Sequence, residues 1–475
     1  MPSDFFQDND SPHEECGVIG IYAPNEDVSR MAFFGLYALQ HRGQEACGIA
    51  VSDGQTIRLH KDLGMVSNVF TPQNLAPLTG HYAIGHTRYS TTGSSTARNA
   101  QPFLIDTQYG PVAVAHNGNL VNAAQLRQDL LRRGIGMSSS SDSEVITMML
   151  AGAEGQTWNE RIQHCMRLWE GAFSLVILTI DGVFAVRDPW GFHPLSIGML
   201  PSGGHAAASE SGALQTLGCV AIREVKPGEI VALSSNALRV HQAMPPKNPL
   251  ALCTFESIYF SRPDSIWDGQ SVHIVRQALG RQLARESAVP ADVVVPVPDS
   301  SIPAAIGFSA ETGIPNDVGF IKNRYIGRTF IQPTESLRQQ GVAMKFNALD
   351  DVVRAKRVIM IDDSIVRGNT TGPLVRLLFN AGAKEVHVRI TCPEIIHPCF
   401  MGVDMGSYQE LISHRKKTEE LRQHFGCTSL SFLSVSGMMQ AINRDSGYCN
   451  ACFTGHYPIP IRPDQTKTGF EGSIQ

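Results

Sequence analysis

Between Cys16 and about Arg239 the apolar residues fall in short runs closed by Gly and Asn turns: GVIGIY, YAIGHTRY, VAVAHNGN, AFSLVILTI and GVFAVRD. Runs of this length and composition, bounded by turn residues, predict β-strands. Two helices are predicted among them, near Asn122–Arg133 and Ser143–Gly152. They interrupt the strands without alternating with them, which predicts an α+β sandwich. A proline-bearing stretch, MPPKNPL at 244–250, reads as a linker. From about Ala251 the pattern changes to strand and helix in turn. DVVVPVP (292–298) and RVIMID (357–362) are continuous apolar runs of the kind buried in a parallel sheet. TGPLVRLLFNAGA follows the second as a helix ending at Gly382, and EVHVRIT resumes as strand, giving a βαβ unit. Beyond about Tyr457 the chain is polar and predicts a frayed end.

A chain of 475 residues is too long for one ordinary core, so two or three domains are expected. Charged residues make up 17%, below the usual quarter or so, which points to much buried surface and to subunit contacts. A net charge of −5 gives no general surface for nucleic acid. The apolar runs stop well short of the roughly 18 residues a membrane span needs. The first fifteen residues, MPSDFFQDNDSPHEE, are acidic and polar and lack the regions of a secretory signal. A cytoplasmic, reducing compartment is therefore expected. There, ten cysteines point to metal or catalytic roles before a disulfide framework.

The string VIMIDDSIVRGNTT (358–371) carries the densest chemistry. An apolar strand delivers Asp362 and Asp363 at its C-terminal end, where ligands sit in open α/β sheets. A small, hydroxyl-rich turn then leads to a helix N-terminus suited to a phosphate dianion. The paired acids suit ribose hydroxyls and a Mg²⁺ held largely through water; the alternative, taken alone, is two acids that are simply solvated. The whole string resembles the phosphoribosyl-pyrophosphate (PRPP) motif of type I phosphoribosyltransferases, in the version found in amidophosphoribosyltransferases. That resemblance implies that Asp362 and Asp363 hold the ribose and Mg²⁺. It also implies that Ser364, Arg367, Gly368, Asn369, Thr370 and Thr371 wrap the 5′-phosphate. PVPDSS (296–301) looks like the family's pyrophosphate-side loop, with Ser300 as a further Mg²⁺ residue. KNRYIGRTFIQPTESLRQQGV (322–342) resembles its flexible lid, whose Lys322, Arg324, Arg328 and Arg338 would neutralise departing pyrophosphate. No G-x-x-x-x-G-K-[ST] and no G-x-G-x-x-G occurs, so P-loop and dinucleotide-binding readings lose their support.

In the first half, ECGVIGIY begins a strand with Cys16, which alone would read as a buried apolar residue. Its companions are HRGQEACGIA, GHTRYSTTG, AHNGN and SDSE. Together they resemble the class II, N-terminal-nucleophile (Ntn) glutamine amidotransferases. The resemblance implies removal of a propeptide, residues 1–15, so that Cys16 becomes the first residue. Its free α-amine, with a pKa near 8, can then serve as the base for its own thiol. Asn117 and Gly118 look like the oxyanion pair. Arg88 would bind the glutamine α-carboxylate and Asp142 its α-ammonium. RDPWGFHPL departs from the family by carrying His193 where an arginine is usual.

Cys449 and Cys452 form a C-x-x-C, compatible with zinc, redox chemistry or an iron–sulfur ligand pair. By resemblance to the cluster-bearing amidophosphoribosyltransferases, Cys253, Cys399, Cys449 and Cys452 are the ligands of one 4Fe–4S cluster per subunit. Spacing alone does not select Cys399 over Cys392 or Cys427, nor iron–sulfur over a four-cysteine zinc site. Taken together, the resemblance implies residues 16–245 as an Ntn glutaminase and 246–458 as a type I phosphoribosyltransferase domain with a C-terminal cluster-binding segment, ahead of a polar tail at 459–475. The implied reaction moves glutamine nitrogen to PRPP, with one Mg²⁺ per subunit, purine-nucleotide feedback and a homotetramer. Another class II amidotransferase would lack IDDSIVRG, and a PRPP-binding regulator would need no glutaminase.

Overall fold

The strand runs of the first half form two antiparallel sheets in the computed structural model, which describes residues 15–89, 96–234, 238–323 and 345–461. One sheet has seven strands, in the order Val220–Glu224, Ser196–Met199, His205–Ala208, Gly17–Tyr22, Tyr82–Arg88, Ala46–Ser52 and Ile57–Leu63. The other has six: Arg239–Gln242, Glu229–Leu233, Val183–Arg187, Gly171–Leu178, Gly110–Leu120 and Phe103–Thr107. Facing side chains such as Val18, Ala50 and Ile84 from one sheet meet Ala115, Val176 and Ala185 from the other in a buried layer. Helices Val28–Ala38 and Ser211–Thr216 pack near the first sheet. Helices Asp142–Ala151 and Trp158–Met166 join the core of the second, with Ala123–Arg132 against Asp142–Ala151. With both faces covered, the central strands are largely apolar and read as runs in the sequence, although Tyr82–Arg88 and Gly110–Leu120 also bury the polar His86, Thr87, Arg88, His116 and Asn117.

Two helices were expected in this half near Asn122–Arg133 and Ser143–Gly152, and Ala123–Arg132 and Asp142–Ala151 occupy those places. The chain also forms Val28–Ala38, Trp158–Met166 and Ser211–Thr216. The second of these carried a legible signal. Thr157 and Glu160 make a reciprocal capping box at its start. Val28–Ala38 is rich in aromatic and apolar residues and has little of the polar stripe that marks a surface helix.

The second half contains a four-stranded parallel sheet, ordered Val293–Pro296, Arg357–Asp362, Glu385–Ile390 and Ser429–Phe432. Helix Thr371–Asn380 connects the second strand to the third. Val272–Ser287 and Ile302–Thr312 pack so closely that a Cβ on Gly280 would stand 1.9 Å from the Ala304 carbonyl oxygen. Phe320–Lys322 pairs with Phe346–Ala348 on either side of residues 324–344, which lie outside the described residues with Arg324, Arg328 and Arg338. Leu252–Cys253 runs parallel to Tyr448–Cys449, joining the segment after the linker to the C-terminal region. The architecture is the expected one, an Ntn-type sandwich followed by an α/β domain.

Candidate active sites

Strand pairing sets Gly17 opposite Thr87 and Ala46 opposite Arg88, so Cys16 lies beside Arg88 at the end of the first sheet. The Cys16 thiol is buried and donates to the Tyr89 carbonyl at 3.4 Å. Burial raises it to about 11, against the pull of the Tyr89 backbone and Arg88. Asp142 opens the helix Asp142–Ala151, capped by Ser141, and accepts the Leu120 N–H at 3.1 Å. Asn117 and Gly118 lie in the long strand Gly110–Leu120. The Asn117 amide nitrogen is buried and has no hydrogen-bond partner among the described residues. An unsatisfied buried donor costs about 1–3 kcal/mol, as expected of a group reserved for a ligand oxygen. Gly118 has φ +143°, and a Cβ there would stand 2.1 Å from the Ala172 carbonyl oxygen. Residues 90–95 of GHTRYSTTG's neighbourhood lie outside the described residues.

The second domain reaches this site. Asn119 donates its side-chain amide to the Phe400 carbonyl at 2.8 Å. Gly402 stands so close that a Cβ on it would lie 3.1 Å from the Gly118 Cα.

A buried charge network that the sequence did not single out lies beside Cys16. The Arg42 guanidinium contacts Glu15 at 2.9 Å, Glu210 at 2.8 Å and Glu256 at 2.6 Å, and donates to the Cys16 carbonyl at 3.2 Å. His193 places Nδ1 3.0 Å from Glu15 and Nε2 2.6 Å from the Met401 carbonyl. Burial raises the Glu15 carboxyl to about 7, against the pull of His193 and with Glu256 adding repulsion. Burial alone would lower His193, but Glu15 and Glu256 reverse this and hold it near 10. Glu15, His193 and Glu256 have donor atoms within 4.8 Å of one another, close enough for a metal ion. Arg42 already supplies the positive charge there, so a cation would be redundant. Arg42 sits inside the quoted HRGQE string, but its partners Glu210 and Glu256 are 168 and 214 residues away and no local pattern announces them.

The other candidate site lies at the end of Arg357–Asp362. Ser300 donates to Asp363 at 2.5 Å and Ser301 to Asp362 at 3.3 Å, joining the PVPDSS loop to both acids. Ser364 donates to Asp363 at 2.5 Å. Gly368, at φ +81°, turns the chain toward Asn369, Thr370 and the helix that Thr371 begins. The Arg367 guanidinium is engaged by Glu410 at 2.6 Å, with Asp404 3.8 Å away. Lys322 pairs with Asp299 at 2.8 Å, at the edge of the same loop.

Cys253, Cys399, Cys449 and Cys452 line one small cavity together with Phe192, Phe255, Met401 and Tyr457. Cys253 stands opposite Cys449 in the parallel pair, and Cys452 lies on the short helix Ala451–Thr454. The Met401 N–H donates to the Cys399 sulfur at 3.3 Å. Burial raises Cys399 to about 12 and Cys449 to about 11, and it also lifts Cys253 and Cys452 well above the usual thiol value. Four thiols so placed, with no disulfide, ionise together only around a bound cation. The remaining cysteines, 47, 165, 219, 392 and 427, belong to hydrophobic cores.

Residues 86–216 match the glutamine amidotransferase domain family. The chain is 50% identical to the amidophosphoribosyltransferase of Synechococcus elongatus, over 96% of this chain and 94% of that protein. It is 46% identical to the amidophosphoribosyltransferase of Bacillus subtilis, over 95% and 96%. Its fold matches the structure of glutamine PRPP amidotransferase from B. subtilis complexed with ADP and GMP, with a TM-score of 0.89 and 45% identity over 96% of this chain and all of that one. With both halves of the molecule matched at this level, the chain belongs to the amidophosphoribosyltransferase family.

Proposed function

We propose that two sites in one chain divide the family reaction, in which glutamine, PRPP and water give 5-phosphoribosylamine, glutamate and pyrophosphate, the first committed step of purine synthesis. The observation that carries this division is the pair of constellations described above, one around Cys16 and one around Asp362 and Asp363. PRPP-dependent release of glutamate by the purified, anaerobically handled protein tests it directly; glutamate release that ignores PRPP would count against coupled sites.

In the glutaminase, residues 1–15 are removed and the Cys16 α-amine takes the thiol proton. The sulfur attacks the glutamine amide, the amine protonates departing ammonia, and water hydrolyses the thioester. Asn117 Nδ2 and the Gly118 N–H stabilise the oxyanion, each worth about 3 kcal/mol. Arg88 binds the substrate α-carboxylate as a fork and Asp142 its α-ammonium. Intact-mass measurement of the fully active protein is expected to give a chain beginning at Cys16. An active chain still carrying Met1 through Glu15 would remove the amine base from the mechanism.

In the phosphoribosyl site, Asp362 and Asp363 orient the ribose, and Ser364 with Arg367, Gly368, Asn369, Thr370 and Thr371 surrounds the 5′-phosphate. Arg367 gives Nη2 to Glu410, which holds the loop, while its buried Nη1 has no hydrogen-bond partner among the described residues and is left for a phosphate oxygen. Ser300, Asp362 and Asp363 offer the hard oxygen donors that would hold a Mg²⁺, which would supply positive charge toward the pyrophosphate. Lys322, Arg324 and Arg328 would add positive charge on the pyrophosphate side.

The thiol cavity fits a 4Fe–4S cluster held by Cys253, Cys399, Cys449 and Cys452, with the Met401 N–H aimed at a ligand sulfur as in such sites. The cluster would fasten the linker, the 399–405 loop and the C-terminal segment. Purified protein is expected to be brown, with about four irons and four labile sulfides per chain. Cys449→Ser or Cys452→Ser should reduce folding yield before any single chemical step. A colourless, fully active protein with stoichiometric zinc would replace iron–sulfur by zinc. Purine nucleotides are proposed as feedback inhibitors, supported by the ADP and GMP in the B. subtilis structure. A homotetramer in the cytoplasm is the proposed state; among the described residues no helix is long and apolar enough to cross a membrane.

A further inference from the structure

We propose that Arg42, His193 and Glu256 form a slot that binds the Glu15 side chain and so holds the Glu15–Cys16 peptide for self-cleavage. This rests on the reading above that the active chain begins at Cys16. Arg42 spans the bond to be cut. Its Nη2 contacts the Glu15 carboxylate at 2.9 Å on one side, and its Nε donates to the Cys16 carbonyl at 3.2 Å on the other. A planar guanidinium with both contacts fixes the chain direction across the peptide. Glu256 accepts from Nη2 at 2.6 Å and from Nη1 at 3.0 Å, and this two-point grip keeps the guanidinium from swinging away.

Burial marks Glu15 as a recognised residue. Its side chain is fully enclosed, which a leader that merely covered the cysteine would not require of a carboxylate. Its Oε1 is buried with no hydrogen-bond partner among the described residues. His193 Nδ1, although 3.0 Å from Oε2, is not aligned as a hydrogen bond. The uncut chain therefore keeps imperfectly satisfied polar groups, and Glu15 gains full hydration on leaving. This also gives a role to His193, the one noted departure from the family pattern. One ring nitrogen faces Glu15 and the other faces the Met401 carbonyl at 2.6 Å, so the imidazolium meets an oxygen at each end. An arginine at this position could supply the same positive charge.

The step balances without a co-reactant other than water. The Cys16 sulfur adds to the Glu15 carbonyl carbon, and the C–N bond breaks as the nitrogen takes up the thiol proton. A thioester and a free Cys16 amine result. Water hydrolyses the thioester, releasing the leader with a Glu15 carboxylate and restoring the thiol.

The test follows newly translated full-length chains by intact mass over time. The unmodified chain should convert to a form beginning at Cys16. Glu15→Ala and His193→Leu should each slow conversion at least about 30-fold, the size expected for losing a buried charge contact that positions a reaction. His193→Arg should restore it to within a few fold. Glu15→Ala alters only the departing segment, so slow conversion there cannot come from a damaged domain, and it decides the matter if His193→Leu fails to fold. Conversion of Glu15→Ala at the unmodified rate overturns the slot while leaving maturation intact. An unmodified chain that is active without conversion overturns the maturation reading itself.

Discussion

Cys16→Ala is expected to reduce phosphoribosylamine formation from glutamine by at least about 10⁴-fold, because no other group takes over from a missing nucleophile. Formation from concentrated ammonium at alkaline pH should stay close to the unmodified rate. The asymmetry follows from the fold. Cys16 stands at the end of a central strand of the sandwich, whereas Asp362 and Asp363 end a strand of a different sheet in the second half of the chain. Alanine removes one buried sulfur and leaves the network of Ser300, Ser301 and Ser364 around the two acids untouched. The variant should also keep residues 1–15, since self-cleavage needs the same thiol. Steady-state rates with each nitrogen donor check the prediction. Loss of both activities in a well-folded variant would contradict two separable sites.

Asp362→Asn and Asp363→Asn should have the opposite signature, lowering phosphoribosylamine formation about 10²- to 10³-fold with either nitrogen donor. Asparagine keeps the volume of the side chain and removes the charge. Both carboxylates are nearly buried, and three serine hydroxyls converge on them, so their positions are fixed before any ligand arrives. A fixed anion beside a developing oxocarbenium ion contributes mainly in the transition state, so kcat should fall more than the KM for PRPP rises. Kinetics of both variants against PRPP, with ammonium as donor, provide the measurement. Unchanged kinetics in both would put the phosphoribosyl site elsewhere.

What was legible in the sequence was whatever is local. VIMIDD announces a buried strand ending in two acids, because a parallel strand covered on both faces must be apolar throughout. The capping serine before Asp142 and the positive φ at Gly118 likewise belong to short strings that a reader can weigh. Long-range pairing was not legible. Nothing near Arg42 indicates that it will meet Glu210 and Glu256, and nothing near Asn119 indicates the Phe400 carbonyl. The cysteines fall between these cases. C-x-x-C is visible as a pair, but Cys253 and Cys399 join it only through the strand pairing and loop packing that line one cavity. Helix Val28–Ala38 escaped for a different reason: its apolar residues spread around the helix, so the usual polar stripe is missing.

Nitrogen tracing in the unmodified protein tests the central claim most directly. The protein is given amide-labelled ¹⁵N-glutamine, PRPP and Mg²⁺ in the presence of unlabelled ammonium at neutral pH, and the isotope in phosphoribosylamine is read by mass spectrometry beside glutamate and pyrophosphate. Ammonia made at Cys16 and used at Asp362 and Asp363 predicts product carrying predominantly ¹⁵N, with glutamate and pyrophosphate formed in equal amounts. Product carrying the unlabelled nitrogen, or glutamate released without pyrophosphate, would contradict transfer between the two sites.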